Sequence, residues 1–138
     1  MPSPRLLVAD DNAGMLQRIC TLVAKEFEII AAVDNGRAAV DVATTLEPDV
    51  VLLDISMPGM TGLEAARIIS ALPRPPLIVF LSVHEDPHVV DAARRAGATG
   101  YVLKRDIGRD LTRTIRLALD GHSAFPTEPP RTAHRIRT

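Results

Sequence analysis

Val50-Val51-Leu52-Leu53-Asp54, followed by Ile55-Ser56-Met57-Pro58-Gly59-Met60-Thr61-Gly62, is the stretch on which the fold turns. Val50–Leu53 is short and wholly apolar, with no polar alternation. Such a run suits a strand buried on both faces, as in a parallel sheet with helices above and below. Asp54 stands where that strand ends. Thr61-Gly62-Leu63-Glu64 then matches a capping box and opens a helix reaching about Leu72.

The same unit recurs in both directions from there. Upstream, Leu6–Ala9 and Glu28–Val33 read as strands. A helix follows the first, with Met15, Leu16, Ile19, Cys20, Leu22 and Val23 at helical spacing. Asp34-Asn35-Gly36 is a turn signal, and Ala38–Leu46 is a helix stopped before Pro48. Downstream, Pro73, Pro75 and Pro76 precede a strand over Leu77–Leu81. Asp86-Pro87 reads as an N-cap with Pro at the first helical position, and Gly97 closes that helix. Tyr101–Leu103 is a fifth strand. Ile107, Leu111, Ile115 and Ala118 stripe a last helix closed at Gly121. Strict strand–helix alternation predicts a doubly wound α/β domain with a parallel sheet.

Composition agrees with one such domain. The chain has 138 residues, 46% of them hydrophobic, enough to bury a core without crosslinks. Cys20 is the single cysteine, so no internal disulfide can form and a reducing, cytoplasmic setting is expected. No apolar run approaches the roughly 20 residues of a membrane span, so no membrane partner is expected. Aromatics are 3% with no Trp, which argues against stacking platforms for single-stranded nucleic acid. Residues 1–121 are expected to form the domain. The remaining 17 residues, with Pro126, Pro129 and Pro130, read as a flexible tail or linker remnant.

Ligands of doubly wound sheets sit beyond the carboxyl ends of the strands. The polar residues at those ends are Asp10 and Asp11, Asp54, Ser82 and Lys104. Neighbouring carboxylates repel by about 4 kcal/mol per pair at ~4 Å and an effective dielectric of ~20. A hard divalent cation relieves this, and oxygen ligands with open coordination positions suit Mg2+. A carboxylate so placed can act as nucleophile and form an aspartyl phosphate. Lys104 can pair with phosphate as a point charge, and the Ser82 hydroxyl can donate to a phosphoryl oxygen.

Those residues carry a resemblance. Val8-Ala9-Asp10-Asp11-Asn12, Val51 through Gly62, Leu81-Ser82, and Gly97-Ala98-Thr99-Gly100-Tyr101-Val102-Leu103-Lys104 occur in order and at matching spacing. Across residues 5–121 the chain resembles the receiver domain of two-component response regulators. It most resembles receivers of the class that carries a C-terminal LuxR-type helix-turn-helix domain. The resemblance implies a flavodoxin-like, five-stranded sheet in order 2-1-3-4-5 with five helices. It implies that Asp54 accepts a phosphoryl group from a sensor histidine kinase, with Mg2+ held by Asp11, Asp54 and the Ser56 carbonyl and by Asp10 largely through water. Ser82 and Lys104 would hold the phosphoryl group, and Tyr101 would be a switch that swings inward as Ser82 moves. The face of the fourth helix, fifth strand and fifth helix would then repack toward a downstream partner, including a homodimer. Such a domain is not an enzyme beyond its own phosphorylation and dephosphorylation.

The chain departs from that pattern in two places. Lys104 is followed by Arg105 where many receivers have proline. After Gly121 the sequence is too short for a helix-turn-helix domain. Transcriptional output through DNA thus requires a domain absent from this chain; the alternative is a stand-alone receiver acting by protein contact. His84, two residues past Ser82, stands with Ser56 at positions that flank the phosphoryl group in receivers. Among rivals, a haloacid-dehalogenase-type phosphatase wants a second Asp at position 56, where Ser stands. A nucleotide- or flavin-binding module wants a Gly/Ser/Thr-rich loop where Asp10-Asp11 stands. A degenerate receiver would have lost an acidic or Lys position, and none is lost.

Overall fold

The structure is a computed structural model that describes residues 3–126. Strands β1 (Arg5–Ala9), β2 (Glu28–Val33), β3 (Val50–Asp54), β4 (Leu77–Ser82) and β5 (Gly100–Leu103) alternate with helices α1 (Ala13–Val23), α2 (Gly36–Leu46), α3 (Gly62–Ser70), α4 (Pro87–Arg95) and α5 (Ile107–Leu119). The strands form one parallel sheet in the order β2-β1-β3-β4-β5. This is the doubly wound architecture expected from the alternation. The strand order reverses beside β1 and β3, so the ends of those strands open a crevice.

Strands β1, β3 and β4 are buried on two faces because successive side chains alternate across the sheet, whereas the edge strand β2 has no fully buried residue. Leu7, Leu53, Phe80 and Tyr101 point into one core with Ala39, Ala65, Ala66 and Ala93 of α2, α3 and α4. Leu6, Leu52, Leu81 and Val102 point into the other with Ile19 of α1 and Leu111 and Ile115 of α5. Every residue of β3 is buried, in keeping with its apolar run. Each large side chain so buried contributes roughly 1.5–3 kcal/mol.

Helix starts are set by side-chain caps. Asn12 accepts from Met15 N at 2.9 Å and Asn35 from Ala38 N at 2.8 Å, so α1 and α2 begin two residues before the apolar periodicity does. The capping box at Thr61 and Glu64 and the Asp86-Pro87 start form as the sequence predicts. Helix α3 ends at Ser70, short of Leu72. Gly97 and Gly121 have φ of +108° and +88°, the left-handed conformation that ends a helix at low steric cost for glycine.

His122–Pro126, placed in the expected tail, do not leave the domain. Ala124 pairs with the outer edge of β5: Tyr101 N donates to Ala124 O and Ala124 N to Thr99 O, both at 2.9 Å. Residues 127–138, with Arg131, Arg135 and Arg137, lie outside the described residues, so the tail reading there rests on sequence alone. No helix among the described residues is long and apolar enough to cross a membrane.

Candidate functional site

The sheet delivers the strand-end residues to one place. Asp10 follows β1, Asp54 is the last residue of β3, Ser82 the last of β4, and Lys104 opens a single 3-10 turn after β5. Asp10, Asp54 and Ser82 are buried, at 0%, 5% and 1% exposure. Asp11 and Ser56 are exposed at the rim.

One carboxylate oxygen from each of Asp10, Asp11 and Asp54 lies within 4.8 Å of the others. Asp10 Oδ1 is occupied, accepting from Asn12 N at 2.8 Å. Asp10 Oδ2 is fully buried and accepts no hydrogen bond of good geometry, although Lys104 Nζ stands 2.7 Å away as a charge contact. A buried carboxylate oxygen left short of donors is costly unless a cation completes its surroundings. All the donors are hard oxygens. The set therefore fits a hard divalent cation.

Lys104 Nζ also lies 3.4 Å from Asp54 Oδ2. The lysine thus spans two of the three carboxylates, a pairing that its separation in sequence concealed. Asp54 Oδ1 accepts from Ser56 N at 3.3 Å. Burial is the largest influence on the Asp54 carboxyl and raises its pKa from 3.8 to about 6. Lys104 pulls it down and Asp10 pushes it up. Burial outweighs the lysine, because the carboxylate has given up water for partners that only partly replace it.

Gly62 brings the start of α3 against the backbone of Asp54. Its N–H donates to Ile55 O at 2.7 Å. A Cβ at position 62 would stand 2.0 Å from Asp54 O and 2.8 Å from Ile55 Cα. No side chain fits there without moving the backbone that carries Asp54.

Ser82 and Tyr101 meet at the β4–α4 loop. Ser82 Oγ accepts from His84 N at 2.9 Å. Tyr101 is 3% exposed, and its hydroxyl donates to His84 O at 2.8 Å. The ring therefore occupies the inward position in this structure. His84 joins Ser82 to Tyr101 through its main chain, whereas the sequence drew attention only to its imidazole. Arg105, standing where a proline was absent, pairs with Glu85 across the site's edge at 2.5 Å.

Residues 6–116 match the sequence profile described as Response regulator receiver domain. The transcriptional regulatory protein YdfI of Bacillus subtilis is 33% identical over 120 residues, covering 86% of this chain and 56% of that protein. DegU of Brevibacillus brevis, also a transcriptional regulatory protein, is 32% identical over 120 residues, covering 85% of this chain and 50% of that protein. The chain thus spans about half the length of these curated relatives. The signal receiver domain of NarL from Mycobacterium tuberculosis superposes with a TM-score of 0.84 at 26% identity, covering 88% of this chain and all of that domain. Fold, strand-end residues and matched sequence agree: the chain belongs to the receiver-domain family of two-component response regulators.

Proposed function

We propose that Asp54 is a phosphoacceptor whose phosphorylation, dependent on Mg2+ and supplied by a sensor histidine kinase, switches the surface of this domain. The observation that carries this reading is the convergence of Asp10, Asp11 and Asp54 with Lys104 and Ser82 at one end of the sheet. In the transfer, an Asp54 oxygen attacks phosphorus of a phosphohistidine. The new P–O bond forms as the P–N bond breaks, and the departing imidazole leaves with the nitrogen electron pair and takes a proton from solvent. Mg2+, when held by Asp10, Asp11, Asp54 and the Ser56 carbonyl, would supply charge neutralisation between the acceptor and the phosphoryl oxygens.

The chain's own residues do the rest. Lys104 exchanges a carboxylate partner for a phosphoryl oxygen as a compact cation. Ser82 Oγ turns its hydroxyl hydrogen toward another phosphoryl oxygen. Because His84 N donates to Ser82 Oγ, moving Ser82 moves the loop whose carbonyl holds Tyr101. Two or three charge-assisted hydrogen bonds of about 1.5–3 kcal/mol each can supply the ~5.5 kcal/mol that takes a 1:99 equilibrium to 99:1. The output is transcription where a DNA-binding domain accompanies the receiver; the relatives YdfI and DegU are transcriptional regulatory proteins.

The test is incubation with Mg2+ and an acyl phosphate or beryllofluoride, with the adduct read by mass and by Tyr101 emission. Wild type forms one adduct and Asp54→Asn forms none. An adduct that survives Asp54→Asn, or none on wild type, overturns the assignment.

A further inference from the structure

The segment after α5 folds back onto the outer edge of β5, the strand that carries Tyr101. Gly121 turns the chain back, with His122 N donating to Leu117 O at 2.9 Å. Ala124 then pairs in parallel with the β5 edge at Gly100, and its two backbone hydrogen bonds bracket that residue through Thr99 O and Tyr101 N. Phe125 packs on the core that holds Tyr101, and the Arg94 guanidinium of α4 lies 4.3 Å from its ring centroid. Phe125 thus fills the rim between the β5 edge and α4, on the same face of the sheet as Tyr101. A strand edge covered this way is no longer free to pair elsewhere.

We propose that Ser123–Pro126 is a strap that holds Tyr101 inward and so raises the affinity of the acceptor site for a phosphoryl group. The proposal rests on the phosphoacceptor reading of Asp54. Tyr101 is fixed from two sides, by the strap at its backbone N–H and by His84 O at its hydroxyl. The same His84 holds Ser82. Strap, Tyr101, His84 and Ser82 form a chain of direct contacts from the β5 edge to the end of β4, the strand beside the one that carries Asp54. Docking of the strap and phosphorylation of Asp54 favour the same inward ring. Coupling between two sites is reciprocal: if the strap tightens the acceptor, occupation of the acceptor tightens the strap by the same factor.

The full chain is titrated with beryllofluoride in saturating Mg2+. Emission of Tyr101 gives the apparent affinity, since the chain has one Tyr and no Trp. Phe125→Ala weakens beryllofluoride by about fivefold, at the lower end of ordinary coupling between sites. Arg94→Gln, which removes the cation over the ring, weakens it in the same direction by less. In wild type, beryllofluoride slows amide exchange of Ala124 and Tyr101 by the factor that Phe125→Ala costs in affinity. Loss of stability alone does not change the affinity of the folded molecule, so a merely structural Phe125 leaves the titration unmoved. Should Phe125→Ala fail to fold, Ala124→Pro, which deletes the N–H donated to Thr99 O, replaces it with the same expectation. Wild-type affinity in the variants, with the adduct still on Asp54, overturns the strap alone. Absence of any adduct on wild type overturns the phosphoacceptor reading beneath it.

Discussion

Asp54→Asn should make the cation-free protein more stable at neutral pH, although it removes the proposed acceptor. The Asp54 carboxyl has a pKa of about 6 in the fold against an ordinary 3.8, with burial as the leading cause. A carboxyl raised in this way binds its proton more tightly folded than unfolded. Folding stability therefore falls as pH rises between about 4 and 6, and the full cost is present above that window. The difference between 3.8 and about 6 corresponds to roughly 3 kcal/mol at pH 7.5 and only a small fraction of that at pH 4. Asparagine has nearly the shape of the protonated acid and no charge, and it leaves Lys104 paired with Asp10 at 2.7 Å. Urea unfolding without divalent cations should place the variant above wild type by about 3 kcal/mol at pH 7.5, a midpoint shift of about 1–2 M. At pH 4 the two curves should nearly coincide. An Asp54→Asn protein less stable than wild type at pH 7.5, or a gap independent of pH, would refute the charge analysis.

Three further outcomes follow from the same geometry. Mg2+ at ten times its dissociation constant should stabilise wild type by about 1.4 kcal/mol, and Asp54→Asn should lose most of that gain, as read by thermal melting with and without EDTA. Lys104→Ala leaves two buried carboxylates without their counter-charge, so it should lose about 3 kcal/mol at pH 7.5, with part regained when Mg2+ is added; urea unfolding in both conditions checks this. Gly62→Ala forces a Cβ to 2.0 Å from Asp54 O, so it should cost at least the ~1–3 kcal/mol of an overpacked core and slow adduct formation at Asp54, measured by mass.

The fold was legible because β3 and its neighbours are apolar runs that only a two-sided sheet can bury. The strand-end residues were legible because the alternation itself says where strands stop. Helix starts were less so: Asn35 read as part of a turn and Asn12 only as part of the Val8–Asn12 motif, and only the N–H groups they accept from reveal them as caps. The pairing of Lys104 with Asp10 and Asp54 joins residues 94 and 50 positions apart and needs the sheet order to be known. The part played by His84 was invisible because it runs through backbone atoms, which every residue has. Ala124 and Phe125 stand beside a proline-rich tail, and composition there outweighed two residues that fit a strand edge.

On the proposed phosphoacceptor reading, charge explains why Asp54 needs its neighbours as a set. Above pH 6, the three carboxylates and Lys104 leave the site with a formal charge of −2, a barrier to any phosphoryl donor. Protonating Asp54 would lower that charge but would also remove the nucleophile. A divalent cation lowers it while keeping the carboxylate ionised, and the same ion pulls the Asp54 pKa down. Lys104 alone cannot do this, since Asp54 remains at about 6 with the lysine 3.4 Å away. The lysine is instead positioned to change partners: as phosphorylation moves negative charge outward from the carboxylate, Nζ can follow it at little cost. Ser82 is the other group free to follow, and through His84 it carries that movement to Tyr101. The proposed acceptor chemistry and the proposed switch thus rest on the same few side chains, and a substitution that spares one while disabling the other has to act beyond His84, at Tyr101 or at the proposed strap behind it.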